Sequence, residues 1–116
     1  MAEHVREIEW REYEDVVDDA DAERPVVAVF RADWCEFSRE LDAVVETLAE
    51  EYEGQVDVVS VDLDEEGRLA NEQNIYDTPT VVGGFRGNRL KRIDGARSAA
   101  ELEELFDYLV QLPRAA

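Results

Sequence analysis

Among its 116 residues the chain has one cysteine, one histidine and one lysine. Each scarcity removes a class of chemistry. With a single thiol, Cys35, no internal disulfide can form, so that sulfur is either reduced or bonded to another molecule. One cysteine and one histidine, His4, are too few for a zinc site, and no Ser/His/Asp or Cys/His triad can be assembled around an exposed residue near the start of the chain. No metal and no cofactor is expected. No apolar run approaches the ~20 residues of a membrane span. The opening "MAEHVREIEW" lacks the basic start and apolar stretch of a secretory signal. A cytoplasmic protein without membrane contact is the expectation. Basic residues are outnumbered 12 to 30 by acidic ones, for a net charge of −18. That excess repels phosphate backbones and argues against nucleic acid as a partner.

High net charge with few apolar residues would mean disorder. Here 45% of residues are hydrophobic, and they fall in periodic blocks that predict a single folded domain over 1–116. "HVREI" (4–8) suits a short edge strand. Apolar residues from Trp10 to Ala20 recur at helical spacing. "VVAVF" (26–30) and "VDVVSVDL" (56–63) are continuous runs that suit strands buried on both faces. Between them, Phe37, Leu41, Val44, Val45, Leu48, Ala49 and Tyr52 form one helical stripe, predicting a helix from near Cys35 to near Gly54. "EEGRLANEQN" (65–74) allows a short helix. "TVVGGF" (80–85) and "RLKRID" (89–94) flank Gly87-Asn88, a predicted hairpin turn with positive backbone angles. Ser98 with Glu101 three residues on predicts a capping box for a last helix carrying Leu102, Leu105, Phe106, Leu109 and Val110. The order is β-α-β-α-β-α-β-β-α. A right-handed β-α-β start makes a parallel core, which the hairpin and closing helix extend.

The chemistry centres on "FRADWCEFSRE" (30–40). A lone cysteine is most often a small buried hydrophobe. Cys35 instead follows Trp34 at the end of an apolar strand and opens a helix. Unpaired N–H groups of a first helical turn stabilise a thiolate and lower its pKa from ~8.5. Ser38, one turn on, can donate a hydrogen bond to the same thiolate. Asp33 and Glu36 oppose the negative charge, and Arg31 and Arg39 are placed to offset them. A lowered thiol pKa is expected. "GGFRGN" follows a late strand into a hairpin and is no phosphate loop. Asp62 and Asp64 suit a solvated strand end better than a metal site.

Three stretches together resemble the thioredoxin family. "VVAVFRADWCEFS" is similar to the family's strand leading into W-C-x-x-C. "YDTPT" (76–80) is similar to its Thr-Pro-Thr loop. "IDGARSAAELEELFDYL" resembles its last strand, glycine and C-terminal helix. The resemblance runs from about Val5 to Leu112. It implies a thioredoxin fold of the α/β class, with a central mixed four- to five-stranded sheet flanked by helices on both faces. It implies a thiol–disulfide oxidoreductase with Cys35 as nucleophile. It implies a cis peptide bond at Pro79 that leaves the Thr78 backbone free to pair with an extended substrate. Trp34, Glu36, Phe37, Thr78 and Pro79 would then contact the partner. That partner is a protein disulfide or thiol, with a low-molecular-weight thiol and a disulfide reductase as further candidates, and the protein is expected to be a monomer.

Departures from the family pattern set the limits. Ser38 stands where the second cysteine would be, and a serine hydroxyl cannot resolve a mixed disulfide. The family's buried aspartate falls on Val29, its lysine on Ser60, and the usual Gly-Pro on Glu36-Phe37. Ser38 is either natural or an engineered trapping substitution. Three functions stay open: a one-thiol oxidoreductase, a redox-inactive binding module for extended polypeptide segments, and a carrier of small thiols. Eleven arginines against Lys91 alone, on an acidic chain, also resemble proteins of salt-loving archaea. At molar salt the Debye length is ~3 Å, which screens the self-repulsion.

Overall fold

The computed structural model describes residues 4–63, 71, 74, 75 and 77–112. The apolar run at 26–31 forms the central strand. This is β2 (Val26–Arg31), with β3 (Asp57–Asp62) on one side and β4 (Thr80–Phe85) on the other. β1 (Val5–Ile8) lies outside β3, and β5 (Asn88–Ile93) lies outside β4. The order is β1-β3-β2-β4-β5; the first three strands are parallel, and β4 and β5 run antiparallel to their neighbours. Five strands, mixed direction and the predicted edge position of β1 all follow the expected fold.

Strand alternation sends successive side chains to opposite faces, and here both faces are covered. Val27, Val29, Val58 and Val81 pack under α2 (Glu36–Glu51) and α3 (Ala99–Val110), against Leu41, Val45, Leu48, Leu102, Leu105, Phe106 and Leu109. Val26, Ala28, Phe30, Val59, Val61 and Val82 face the other way, toward Tyr13 and Val17 of α1 (Trp10–Val17). Tyr13 meets Phe30 edge-on with ring centroids 4.9 Å apart. Burying each such large apolar side chain contributes about 1.5–3 kcal/mol, and β2 and β4, covered on both faces, are the heavily buried strands of the sheet.

Local signals account for the ends. Ser98 caps α3, accepting from the Glu101 N–H while Glu101 reaches back to the Ser98 N–H, the predicted capping box. α1 stops at Val17, short of the predicted Ala20, because "DDAD" places acids at a helix C-terminus with no basic residue in the last turn. The hairpin also differs from expectation. Its turn is Arg86-Gly87, with φ of 52° and 83°, and Asn88 already pairs with Phe85. A β-bulge between Gly83 and Gly84 shifts the register. The expected helix at 65–74 falls mostly outside the described residues. His4, expected to be exposed, is part-buried: its N–H donates to Glu46 Oε1 at 3.2 Å. No helix among the described residues is long and apolar enough to cross a membrane.

Gly84 is where the bulge is tightest, since a Cβ there would lie 2.8 Å from the Asn88 backbone carbonyl. Gly84→Ala is expected to cost about 2 kcal/mol through forced backbone movement. Gly54→Ala, where a Cβ meets nothing but φ is +83°, is expected to cost about 1 kcal/mol. Urea unfolding of the two variants beside the parent measures both.

Candidate active site

β2 ends at Arg31 at the carboxyl edge of the parallel strands, and the chain turns at once into α2. Cys35 N–H donates to the Ala32 carbonyl at 3.0 Å, closing that turn. Cys35 is the N-cap of α2, in extended backbone geometry, so its side chain sits beside the unpaired N–H groups of the first turn. Ser38 is the third helical residue and only 1% exposed. Its Oγ accepts the Ala32 N–H at 3.3 Å, so the hydroxyl hydrogen is left to point elsewhere.

From the opposite side comes the segment before β4. The Thr78–Pro79 peptide bond is cis. Pro79 is fully buried, Thr78 nearly so, and the Thr80 hydroxyl donates to the Asp77 carbonyl at 2.6 Å. The Cys35 thiol donates to the Thr78 carbonyl at 3.4 Å. Cys35 itself is half-buried. Trp34 and Phe37 flank it at 62% and 44% exposure, which makes them two of the few large apolar side chains the fold leaves in solvent. Phe37 therefore departs from the predicted buried stripe, and Ser38 takes the inward position beside it.

The thiol pKa is lowered from its ordinary value. Partial burial pushes it up, but hydrogen bonds from the Thr78 side chain, the Ser38 N–H and hydroxyl, and the Phe37 N–H outweigh that. The direction agrees with expectation, and so does the pairing of Arg31 with Asp33. Arg31 is held by Asp33 at 2.9 Å, Asp42 at 2.8 Å and Asp62 at 2.7 Å, and so offsets the charge of Asp33. Glu36 and Arg39 are exposed. Val29, at the position of the family's aspartate, is 4% exposed and packs under α2, with Ser60 as its register partner on β3.

One neighbour escaped the sequence reading. Arg97, in the loop between β5 and α3, donates through Nη1 to the Thr78 carbonyl at 2.9 Å and the Ala96 carbonyl at 3.1 Å. Its guanidinium carbon lies 4.0 Å from the centroid of the Phe37 ring. The expectation that the whole Thr78 backbone is free for pairing is thus corrected: its carbonyl is occupied. Nothing in "DGARSA" signals that this loop returns beside residue 78. Among the described residues no cluster of side chains could hold a metal ion.

Comparisons with known proteins fit this geometry. Residues 4–108 match the family model described as Thioredoxin. The chain is 31% identical over 87 residues to thioredoxin 1 of a Nostoc species, covering 75% of this chain and 81% of that one. It is 36% identical over 83 residues to a thioredoxin of a Synechocystis species, covering 72% and 75%. Among solved structures, a thioredoxin of Malassezia sympodialis superposes with a TM-score of 0.77 at 23% identity, over 91% of this chain and 90% of that chain.

Removing the Ser38 hydroxyl takes away one of the bonds that favour the thiolate. In Ser38→Ala the midpoint of iodoacetamide alkylation against pH is expected to move up, toward that of a free cysteine. An unmoved midpoint would leave the helix N–H groups and Thr78 as the whole cause.

Proposed function

Because this chain belongs to the thioredoxin family of thiol–disulfide oxidoreductases, we propose that it exchanges disulfides through one nucleophilic cysteine, Cys35, and relies on an external thiol for release. The observation that carries the proposal is the placement of a single thiol at the α2 N-cap, with its pKa lowered, above a buried Ser38.

The Cys35 thiolate attacks one sulfur of a partner disulfide. A sulfur–sulfur bond forms to Cys35, the partner's own bond breaks, and the departing thiolate takes up a proton. Ser38 and the first-turn N–H groups hold the charge on Cys35 before attack and receive it again on release. Ser38 is not a nucleophile toward sulfur, so the mixed disulfide waits. A small thiolate then attacks the Cys35 sulfur and expels the partner as a reduced thiol. A second equivalent frees Cys35, leaving the small thiol oxidised. Two electrons pass from the small thiols to the partner, with Cys35 unchanged overall. Thr78 and Pro79 shape the wall against which the partner sulfur rests. Trp34, Phe37 and Glu36 form the contact rim.

The exposed Trp34 and Phe37 also suit a module that holds polypeptide without turnover, and one experiment separates the two. Incubation with a model disulfide is expected to add one adduct mass at Cys35, stable until a small thiol is supplied and absent in Cys35→Ala. In protein-disulfide reduction, Ser38→Cys is expected to exceed the parent by tenfold or more in order of magnitude, since it regains an internal resolving thiol. No adduct on the parent, with partner capture unchanged in Cys35→Ala, would favour the binding module.

A further inference from the structure

A segment lying extended beside residue 78 pairs through two backbone groups, the N–H and the C=O. The Thr78 N–H has no hydrogen-bond partner among the described residues. The Thr78 carbonyl is in the opposite condition. It accepts from the Cys35 thiol at 3.4 Å and from Arg97 Nη1 at 2.9 Å. A carbonyl oxygen offers two lone pairs, so this acceptor is saturated.

We propose that Arg97 is a specificity-determining residue: it holds the acceptor that a polypeptide partner needs for strand pairing, and so biases the site toward small disulfides. The inference rests on Cys35 being the nucleophile.

Four arguments converge on it. Ionisation of Cys35 removes the thiol proton and releases only the lone pair that faces the sulfur. Arg97 is exposed, and its bond to the Thr78 carbonyl does not depend on the state of the thiol. The bond is charge-assisted, stronger than the neutral peptide N–H···O bond that would replace it. The guanidinium also covers one face of Phe37 at 4.0 Å, taking away part of the apolar rim that a polypeptide would contact. Stacking and hydrogen bonding act on one rigid planar group, so displacing it loses both together. A small disulfide needs only the sulfur, which Arg97 leaves open.

The test compares two substrates on the full-length chain. One is 2-hydroxyethyl disulfide. The other is an uncharged extended peptide whose central cysteine carries the same hydroxyethyl disulfide, so the leaving group is shared. The rate of adduct formation at Cys35 is followed by intact mass across a pH series. The ratio of peptide rate to small-disulfide rate is expected to rise about tenfold in Arg97→Ala, the scale of one charge-assisted hydrogen bond. Arg97→Lys, which keeps the charge but neither forks nor stacks flat, is expected to fall between. An unchanged ratio in both variants overturns the proposal while the nucleophile stands. Equal changes in both rates with a shifted pH profile also overturn it, because Arg97 would then act through thiol acidity. If the unaltered chain forms no adduct with either disulfide, the nucleophile and the proposal fall together.

Discussion

The site depends on the bond between the Ser38 hydroxyl and the Ala32 backbone N–H, which crosses the turn from β2 to α2. With the Cys35 N–H on the Ala32 carbonyl, it ties both polar groups of Ala32, a fully buried residue, to the start of the helix. A buried N–H without an acceptor is costly, and here the acceptor is the side chain that also supports the thiol. The same contact fixes the angle at which α2 leaves the sheet and therefore where its first N–H groups converge. Oxygen suits the task. A thiol at position 38 would be a weaker acceptor for Ala32, so serine favours the turn.

The framework was readable because its signals are local. The runs 26–30 and 80–85 are too apolar to be anything but buried strands, and the Ser98–Glu101 capping box fixes the start of α3 almost to the residue. Cys35 as N-cap was likewise readable, because the apolar stripe that follows it begins a turn later. What escaped reading was set by distant contacts. The hairpin turn moved to Arg86-Gly87 because the bulge at Gly83/Gly84 changes the pairing register, and no composition rule records a register shift. Phe37 fits the apolar stripe by spacing, yet it is held at the surface under Arg97, which stands 60 residues further along the chain. The cis Thr78–Pro79 bond came only through the family resemblance.

Charge is arranged in two unlike ways around the site. Arg31 is consumed by three carboxylates from a turn, a helix and a neighbouring strand. Burial opposes its charge, but hydrogen bonds to Asp42, Asp62 and Asp33 hold its pKa well above the ordinary value. That cluster links β2, β3 and α2 just outside the apolar core, and its local net charge stays negative. Arg97 spends its charge on neutral carbonyls and a ring instead. On a chain of net charge −18, it is a guanidinium that has no carboxylate among these partners.

On the sheet face covered by α2, the position of the family's acid is apolar. Val29 packs between the sheet and α2 with Leu41 and Val45, where a carboxylate would lose its hydration and raise its own pKa. Such a buried acid is useful where a second thiol must give up its proton during resolution. With an oxygen at position 38 there is no such proton to move, so a carboxylate at 29 would cost stability and return no chemistry. Valine there adds apolar burial to a strand covered on both faces. The serine, the valine and the register partner Ser60 are therefore consistent with the one-thiol chemistry proposed for Cys35.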